Sequence, residues 1–232
     1  MKKFIYIIVC CCLFFIVSCS DMNDLHEIYL ENGETTYIGR VDSVHEFSGR
    51  ERALLRYWIT DPRAKYLILY WNQFEDSLKV EIPPHQAEEY QDIIIGENGT
   101  KIAEGDYTFF FYSYDNKGYR SVKYEKIVKV YGSQYQQALS ARPIKTAIPN
   151  TGEKKLTLTW GGSSNINEVG VEVFYTLIDG ITTSITFDVE VLTKATIIED
   201  IDLTKEVSYQ TLYKPTTTAI DVFRTPKNII PF

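Results

Sequence analysis

Apolar and polar positions alternate with a period of two through most of this chain, and apolar runs with the 3.6-residue period of a helix are scarce. Leu156, Leu158 and Trp160 share one strand face, as do Tyr107, Phe109 and Phe111. The pattern predicts strands near residues 37–44, 53–59, 66–71, 77–82, 92–95, 107–114 and 122–131. A second set is predicted near 156–160, 169–177, 183–191, 195–201, 208–213 and 219–223. Asn98-Gly99, Asp115-Asn116-Lys117-Gly118 and Asp179-Gly180 supply turns between them. Tyr, Phe, Val, Ile and Thr, which suit a half-buried pleated surface, are abundant, so the expected class is all-β.

The first residues break the pattern. Lys2 and Lys3 precede an unbroken apolar run from Phe4 to Val17, which ends in the small residue Ser18. That is the form of an export signal, and it is shorter than the roughly 20 residues a spanning helix needs. All four cysteines (Cys10, Cys11, Cys12 and Cys19) lie here. Ile16-Val17-Ser18-Cys19 resembles the lipobox of bacterial lipoproteins, which implies cleavage before Cys19 and lipidation of that residue. The mature chain would then hold no disulfide, and acyl chains on Cys19 would hold it to a membrane. Residues 1–18 are read as signal peptide and 19–36 as lipidated terminus and spacer. A short helix is expected after the capping box at Asp24.

The remaining length suits two domains of common size, read as 37–131 and 142–232 with a connector at 132–141. The net charge of −7 becomes −9 once Lys2 and Lys3 are removed, which argues against nucleic acid as a partner. One pair of landmarks recurs: Trp58 precedes Tyr107, and Trp160 precedes Tyr209, with an offset of 102 between the pairs. Each Trp is expected to fill the space between two sheets, and each Tyr to fix the corner entering a later strand by bonding to backbone just upstream. The pairs resemble the fibronectin type III-like or immunoglobulin-like plan, and Leu203 to Tyr209 fits its Leu-to-Tyr spacing. The first domain departs from it, with Ile102 close to Tyr107 and Arg56 in the alternation slot between Leu54 and Trp58. A bulge or shifted register is expected there. The fold reading is two tandem β-sandwiches of this kind after a lipoprotein signal peptide.

The segments Ser20-Asp21-Met22-Asn23-Asp24-Leu25-His26, Asp61-Pro62-Arg63, Tyr70-Trp71-Asn72, Gly105-Asp106-Tyr107-Thr108 and Val130-Tyr131-Gly132 occur in this order. Together they resemble the bacterial lipoprotein family catalogued as domain of unknown function 4998, over roughly residues 20–147. The resemblance implies an outer-membrane lipoprotein of Bacteroides-type bacteria, with fibronectin type III-like modules and no activity to carry over. Asp21 and Asp24 resemble the acidic residues that follow the lipidated cysteine in surface-exported lipoproteins, so the cell surface is the expected location.

Candidate chemistry is sparse. His26, His45 and His85 are scattered, and neither a nucleophile elbow, a phosphate-cradling loop nor a zinc helix is present. No catalytic residue, metal ligand or cofactor is therefore expected, and a hydrolase built on Glu88-Glu89 or Glu199-Asp200 ranks last. The notable feature is aromatic. Tyr107, Phe109 and Phe111 lie on one face of their strand, while Phe110, Tyr112 and Tyr114 lie on the other, beside Tyr66 and Tyr70 of a neighbouring strand. A sandwich buries one face of each sheet, so the outward set, extended by Tyr124, is a candidate ligand or partner face. Cover by the second domain or the connector is the plain alternative. The expected role is non-enzymatic binding or adhesion, with polysaccharide or envelope proteins as partners and the membrane reached through Cys19. The alternative is a structural spacer or accessory subunit of an envelope complex.

Overall fold

The computed structural model describes residues 36–86, 88–99, 102–163 and 165–232. The export segment, Cys19 and the helix expected after Asp24 lie outside the described residues. No described helix is long and apolar enough to cross a membrane. Ile38–Phe232 forms one compact unit with two hydrophobic cores.

Around the first core, β1 (Ser43–Ser48), β2 (Ala53–Trp58) and β5 (Tyr90–Ile95) form one sheet in the order β1-β2-β5. Facing it are β3 (Tyr66–Trp71), β4 (Asp76–Glu81), β6 (Gly105–Tyr114) and β7 (Tyr124–Val130), in the order β4-β3-β6-β7. Every pairing is antiparallel. The second core repeats the plan with β8 (Ile144–Asn150), β9 (Lys155–Trp160), β10 (Glu168–Thr176), β11 (Thr182–Asp188), β12 (Thr196–Ile198) and β13 (Ser208–Tyr213), followed by the short β14 (Phe223–Arg224) and β15 (Asn228–Ile229). Its sheets are β12-β9-β8 and β11-β10-β13-β14, with β15 also on β13. Strands one, two and five against four, three, six and seven is the fibronectin type III order, used twice.

The landmarks divide differently from expectation. Trp160 is 5% exposed, sits between the sheets and meets Tyr209 edge-on at 5.5 Å. Trp58, which the repeat predicts to be its counterpart, faces outward. In β2 the inward residues are Ala53, Leu55 and Tyr57, and the last is 1% exposed. Residue pairing along β2 is continuous with both neighbours, so the shifted register is present and the bulge is not. Burial pushes the Tyr57 phenol up to about 12. The two tyrosines also differ. Tyr107 makes the corner bond, its hydroxyl donating to the Ala103 carbonyl at 3.1 Å, whereas the Tyr209 hydroxyl donates to the Arg142 carbonyl at 2.8 Å.

Arg142 ends the connector and is itself buried. Its Nη1 donates to Glu168 Oε1 at 2.7 Å, with side chains 5% and 1% exposed. The Tyr213 hydroxyl donates to the Ser140 carbonyl nearby. Upstream, the connector holds the helix α1 (Ser133–Gln137), whose first amides, of Gln134 and Tyr135, donate to the Glu104 carboxylate.

Of residues 219–223, predicted as a strand, 219–222 instead lie in the loop that joins the two sandwiches, and Phe223 opens β14. Arg52 grips Asp221 through Nε and Nη2 at 2.8 and 2.6 Å, and the Arg50 amide donates to the same carboxylate. Arg52 also pairs with Glu97. The Ile220 amide donates to the Ser48 carbonyl, and the fully buried Phe223 ring meets Tyr135 at 5.0 Å. Gly49 lies so close that a Cβ there would stand 2.5 Å from Asp221 Oδ2 and 2.8 Å from Ile220.

Two outcomes follow from this packing. Trp160→Ala is expected to cost about 3–5 kcal/mol in urea unfolding, as loss of a core aromatic does, while Trp58→Ala costs below about 1.5 kcal/mol; equal costs would restore the simple repeat. The Asp221 carboxylate is held below its ordinary value by the Arg52 guanidinium first, against the opposing effect of burial. A depressed carboxylate contributes its stability above the unfolded value, near about 4, and loses it as pH falls through the folded value. Spin labels on the two sandwiches should therefore report one narrow distance from pH 8 to about pH 5, broadening only in stronger acid, whereas Asp221→Ala should broaden it at neutral pH.

Candidate functional site

Strand β6 carries rings on both faces because its neighbours on either side are also strands and its pleat alternates. Phe109 and Phe111 point inward and are wholly buried, with Tyr107 packed against the same core. Phe110, Tyr112 and Tyr114 point outward and are half-buried. Register then fixes their neighbours: Tyr114 lies opposite Tyr66, Tyr112 opposite Ile68, and Phe110 opposite Tyr70. Tyr66 and Tyr114 stack in parallel at 5.1 Å, and Tyr70 meets Tyr112 edge-on at 6.0 Å. The row continues through Phe74, 5.3 Å from Tyr70 and stacked on Phe110 at 4.8 Å.

Tyr124 does not belong to this set. It lies opposite Phe111 with its ring on the inner side, meeting Phe111 at 6.2 Å and packing against the core. Since β7 starts at Tyr124 with Val128 and Val130 buried, parity turns Tyr124 in and Glu125 and Ile127 out. Ile127, 70% exposed, takes its place on the outer face.

Three cations lie over the rings: Lys79 Nζ at 4.0 Å from the Tyr66 centroid, Arg120 Cζ at 5.3 Å from Tyr112, and Lys123 Nζ at 5.5 Å from Phe110. Lys79 pairs with Glu81 and Lys123 with Glu125, which offsets two of these three charges. Burial among the rings raises the Tyr70 phenol above its ordinary value, helped by its hydrogen bond with Tyr114. The described contacts between the sandwiches lie at residues 48–52, at Tyr131 and α1, and at residues 220–224. None reaches the rings of β3 and β6, so the connector and second sandwich do not provide the cover considered above.

At one end of the face the chain turns from β3 to β4 through Asn72, Gln73 and Phe74, all left-handed, with φ of 48°, 54° and 69°. The turn holds Phe74 out at 50% exposure. The Asn72 amide braces it by donating to Asp76 Oδ2 at 3.2 Å and Glu75 Oε2 at 3.4 Å. Beneath lies an open hollow of about 540 Å³ lined by these three residues with Asp106, Tyr107, Thr108 and Phe110.

The model of a family described as a domain of unknown function, number 4998, matches residues 19–223. The chain belongs to this family. The match extends to the start of β14, well beyond residues 20–147, so most of the second sandwich falls within the family model. No curated protein matches. Among solved structures, the FN1-FN3 domains of chicken CNTN1 are similar over 84% of this chain at 8% identity, with a TM-score of 0.45. The chain spans 65% of that fragment, just under two thirds of its length. A two-domain fibronectin type III segment from chicken tenascin is similar over 83% of this chain and 99% of its own length, at 14% identity and a TM-score of 0.32. The strand order, not these distant matches, establishes the plan.

In this family member, two of the segments that carry the resemblance, Tyr70-Trp71-Asn72 and Gly105-Asp106-Tyr107-Thr108, meet at the hollow. A further surface is one that sequence reasoning missed. The outer face of β1-β2-β5 holds the rows Ser43–Trp58–Tyr90, His45–Arg56–Asp92 and Phe47–Leu54–Ile94. Trp58 meets His45 at 5.0 Å and Tyr90 at 5.9 Å, and Arg56 lies 3.8 Å over Tyr90 while gripping Asp92 with two bonds. The signal was available: Ala53, Leu55, Tyr57 and Ile59 are an unbroken apolar alternation, whereas the set containing Trp58 includes Arg56.

Glu88 and Glu89 stand exposed on a loop, and Glu199 pairs with Lys155 at 3.1 Å. His45 lies on the Trp58 face and His85 on a loop, with its Nδ1 3.0 Å from the Pro83 carbonyl oxygen. Among the described residues no three His, Cys, Asp or Glu side chains converge as a metal site.

Proposed function

We propose that this chain is a non-enzymatic binding and adhesion module of the cell envelope, held to the outer membrane by lipid on Cys19 and facing the cell surface. It captures glycan chains on the outer aromatic face of the first sandwich. The observation that carries this reading is the row Tyr112, Tyr70, Phe74 and Phe110, a set of rings that neither the connector nor the second sandwich touches. Aromatic rings offer flat apolar area to the C–H faces of sugars, and phenol hydroxyls add hydrogen bonds. A hollow at the end of the row gives the concavity that a flat structural surface lacks.

A second reading is favoured by the opposite sheet. Trp58, Tyr90 and Arg56 are the residue types that dominate protein interfaces, and Tyr90 and Ile94 are 50% and 38% exposed. An accessory subunit of an envelope complex would use that face for a protein neighbour.

The chain from Ser20 onward, which keeps both cores whole, is expected to retain xylan, β-glucan, mannan or pectin in a polysaccharide array and pull-down. A folded Tyr70→Ala, Tyr112→Ala, Tyr114→Ala variant is expected to lose at least about tenfold in affinity, the order of two or three lost ring contacts. Retention of no polysaccharide by either chain would overturn the glycan reading and turn the search to envelope proteins.

A further inference from the structure

Left-handed backbone is costly for residues with a Cβ, about 1–2 kcal/mol each, and glycine avoids that cost. This chain uses glycine for positive φ at Gly96, Gly99, Gly118 and Gly180, and isolated residues with a Cβ at Glu51, Asn98, Lys154 and Asp200. At Asn72, Gln73 and Phe74 it places three side chains in succession in the same region. Strain of this kind is held where it positions something. Here it raises Phe74 over Phe110, aims Asn72 back at Glu75 and Asp76, and leaves Gln73 at the rim of the hollow.

The hollow's polar groups are of a particular kind. Asp106 and Thr108 face outward on β6 beside Phe110, and among the described residues Asp106, Thr108 and Gln73 make no side-chain hydrogen bond or ion pair. A carboxylate, a carboxamide and a hydroxyl therefore converge, unspent, beside two stacked rings. An anionic ligand would meet Asp106, with Glu75 and Asp76 following in the turn. A cationic ligand would meet two cations already standing beside the hollow, Lys123 over Phe110 and Lys129 opposite Asp106 in the ladder. What fits is a neutral ring with one apolar side and several hydroxyls.

We infer that the hollow between the Asn72–Phe74 turn and Asp106–Phe110 is a subsite for one neutral pyranose unit. Its apolar side lies on Phe74, and its hydroxyls donate to Asp106 and exchange hydrogen bonds with Gln73 and Thr108. This rests on the glycan reading of the aromatic face and deepens it: the row of tyrosines carries the chain of the polymer, and the hollow selects a neutral unit at its end.

The test titrates the chain from Ser20 onward by calorimetry with neutral gluco-, xylo- and manno-oligosaccharides. Polygalacturonate is the anionic comparator, and a lysine-rich peptide is the cationic one. The unaltered chain is expected to bind a neutral oligosaccharide in preference to both comparators. Phe74→Ala and Asp106→Asn are each expected to weaken that binding about tenfold, as loss of a ring contact or of a hydrogen bond to a charged group does. Both positions lie on the surface, and circular dichroism checks the fold. If a neutral saccharide binds and the triple tyrosine variant loses it while Phe74→Ala and Asp106→Asn bind as before, the platform stands and the hollow is overturned. Preference for polygalacturonate or for the peptide also overturns the neutral subsite. If no saccharide binds at all, platform and hollow fall together.

Discussion

A strand in a two-layer sandwich can bury only one of its two faces, and the rest of this structure follows from how the chain meets that constraint. In the first sandwich the inner faces are filled by residues such as Leu55, Tyr57, Leu67, Leu69, Phe109 and Phe111, all at or near zero exposure. No inner position is left for Tyr70, Phe110, Tyr112 or Tyr114. These rings shelter one another and lie under the side chains of Lys79, Arg120 and Lys123. Stacking, edge contacts and cation contacts each contribute on the order of 1 kcal/mol, enough to order a surface without removing it from solvent.

The joint between the sandwiches respects the same limit. It is built from turns and loop backbone, with Asp221 accepting from Arg50 and Arg52, Ile220 bonded to Ser48, and Phe223 closed in by Tyr131 and Tyr135. Neither outer sheet face of the first sandwich is used for it. The two sandwiches are thus fastened at a carboxylate and a buried ring, and among the described residues neither the connector nor the second sandwich covers the aromatic row on one sheet or the Trp58 face on the other. The family model of domain of unknown function 4998 matches residues 19–223, across the first sandwich and into the second.

Much of the plan was legible because period-two alternation is a local signal. β3 and β13 stand where the alternation puts them, since Leu67, Leu69 and Trp71 bury one face cleanly and Tyr209, Thr211 and Tyr213 share a buried face, with Leu212 of the other face covered as well. The signal failed where burial was partial or tertiary. β8 carries Lys145, Thr146 and Pro149, and as a mostly exposed edge strand it needs few apolar residues, so it went unseen. The first strand begins later than residues 37–44 predict, because Ile38 and Val41 reach the core from backbone outside the ladder. Residues 219–223 have strand-like composition but serve the joint. At the candidate site, Tyr66, Tyr70, Phe110, Tyr112 and Tyr114 lie together as alternation predicts. Tyr124 sits inside because β7 enters its sheet at a parity that only the register with Phe111 reveals. Phe74 was invisible to pattern, since its place depends on left-handed backbone at three residues that do not advertise it.

The central claim is that the outer aromatic face stands open to solvent in the joined pair, and hydroxyl-radical footprinting with mass spectrometry tests it most directly. The account predicts fast oxidation of Phe74, Tyr70 and Tyr112, with Tyr57, Tyr213 and Phe109 protected, and selective slowing at the outer rings when a bound saccharide is present. Oxidation of the outer rings as slow as that of Tyr57, with no ligand added, would mean that another part of the chain covers the face, and would contradict it.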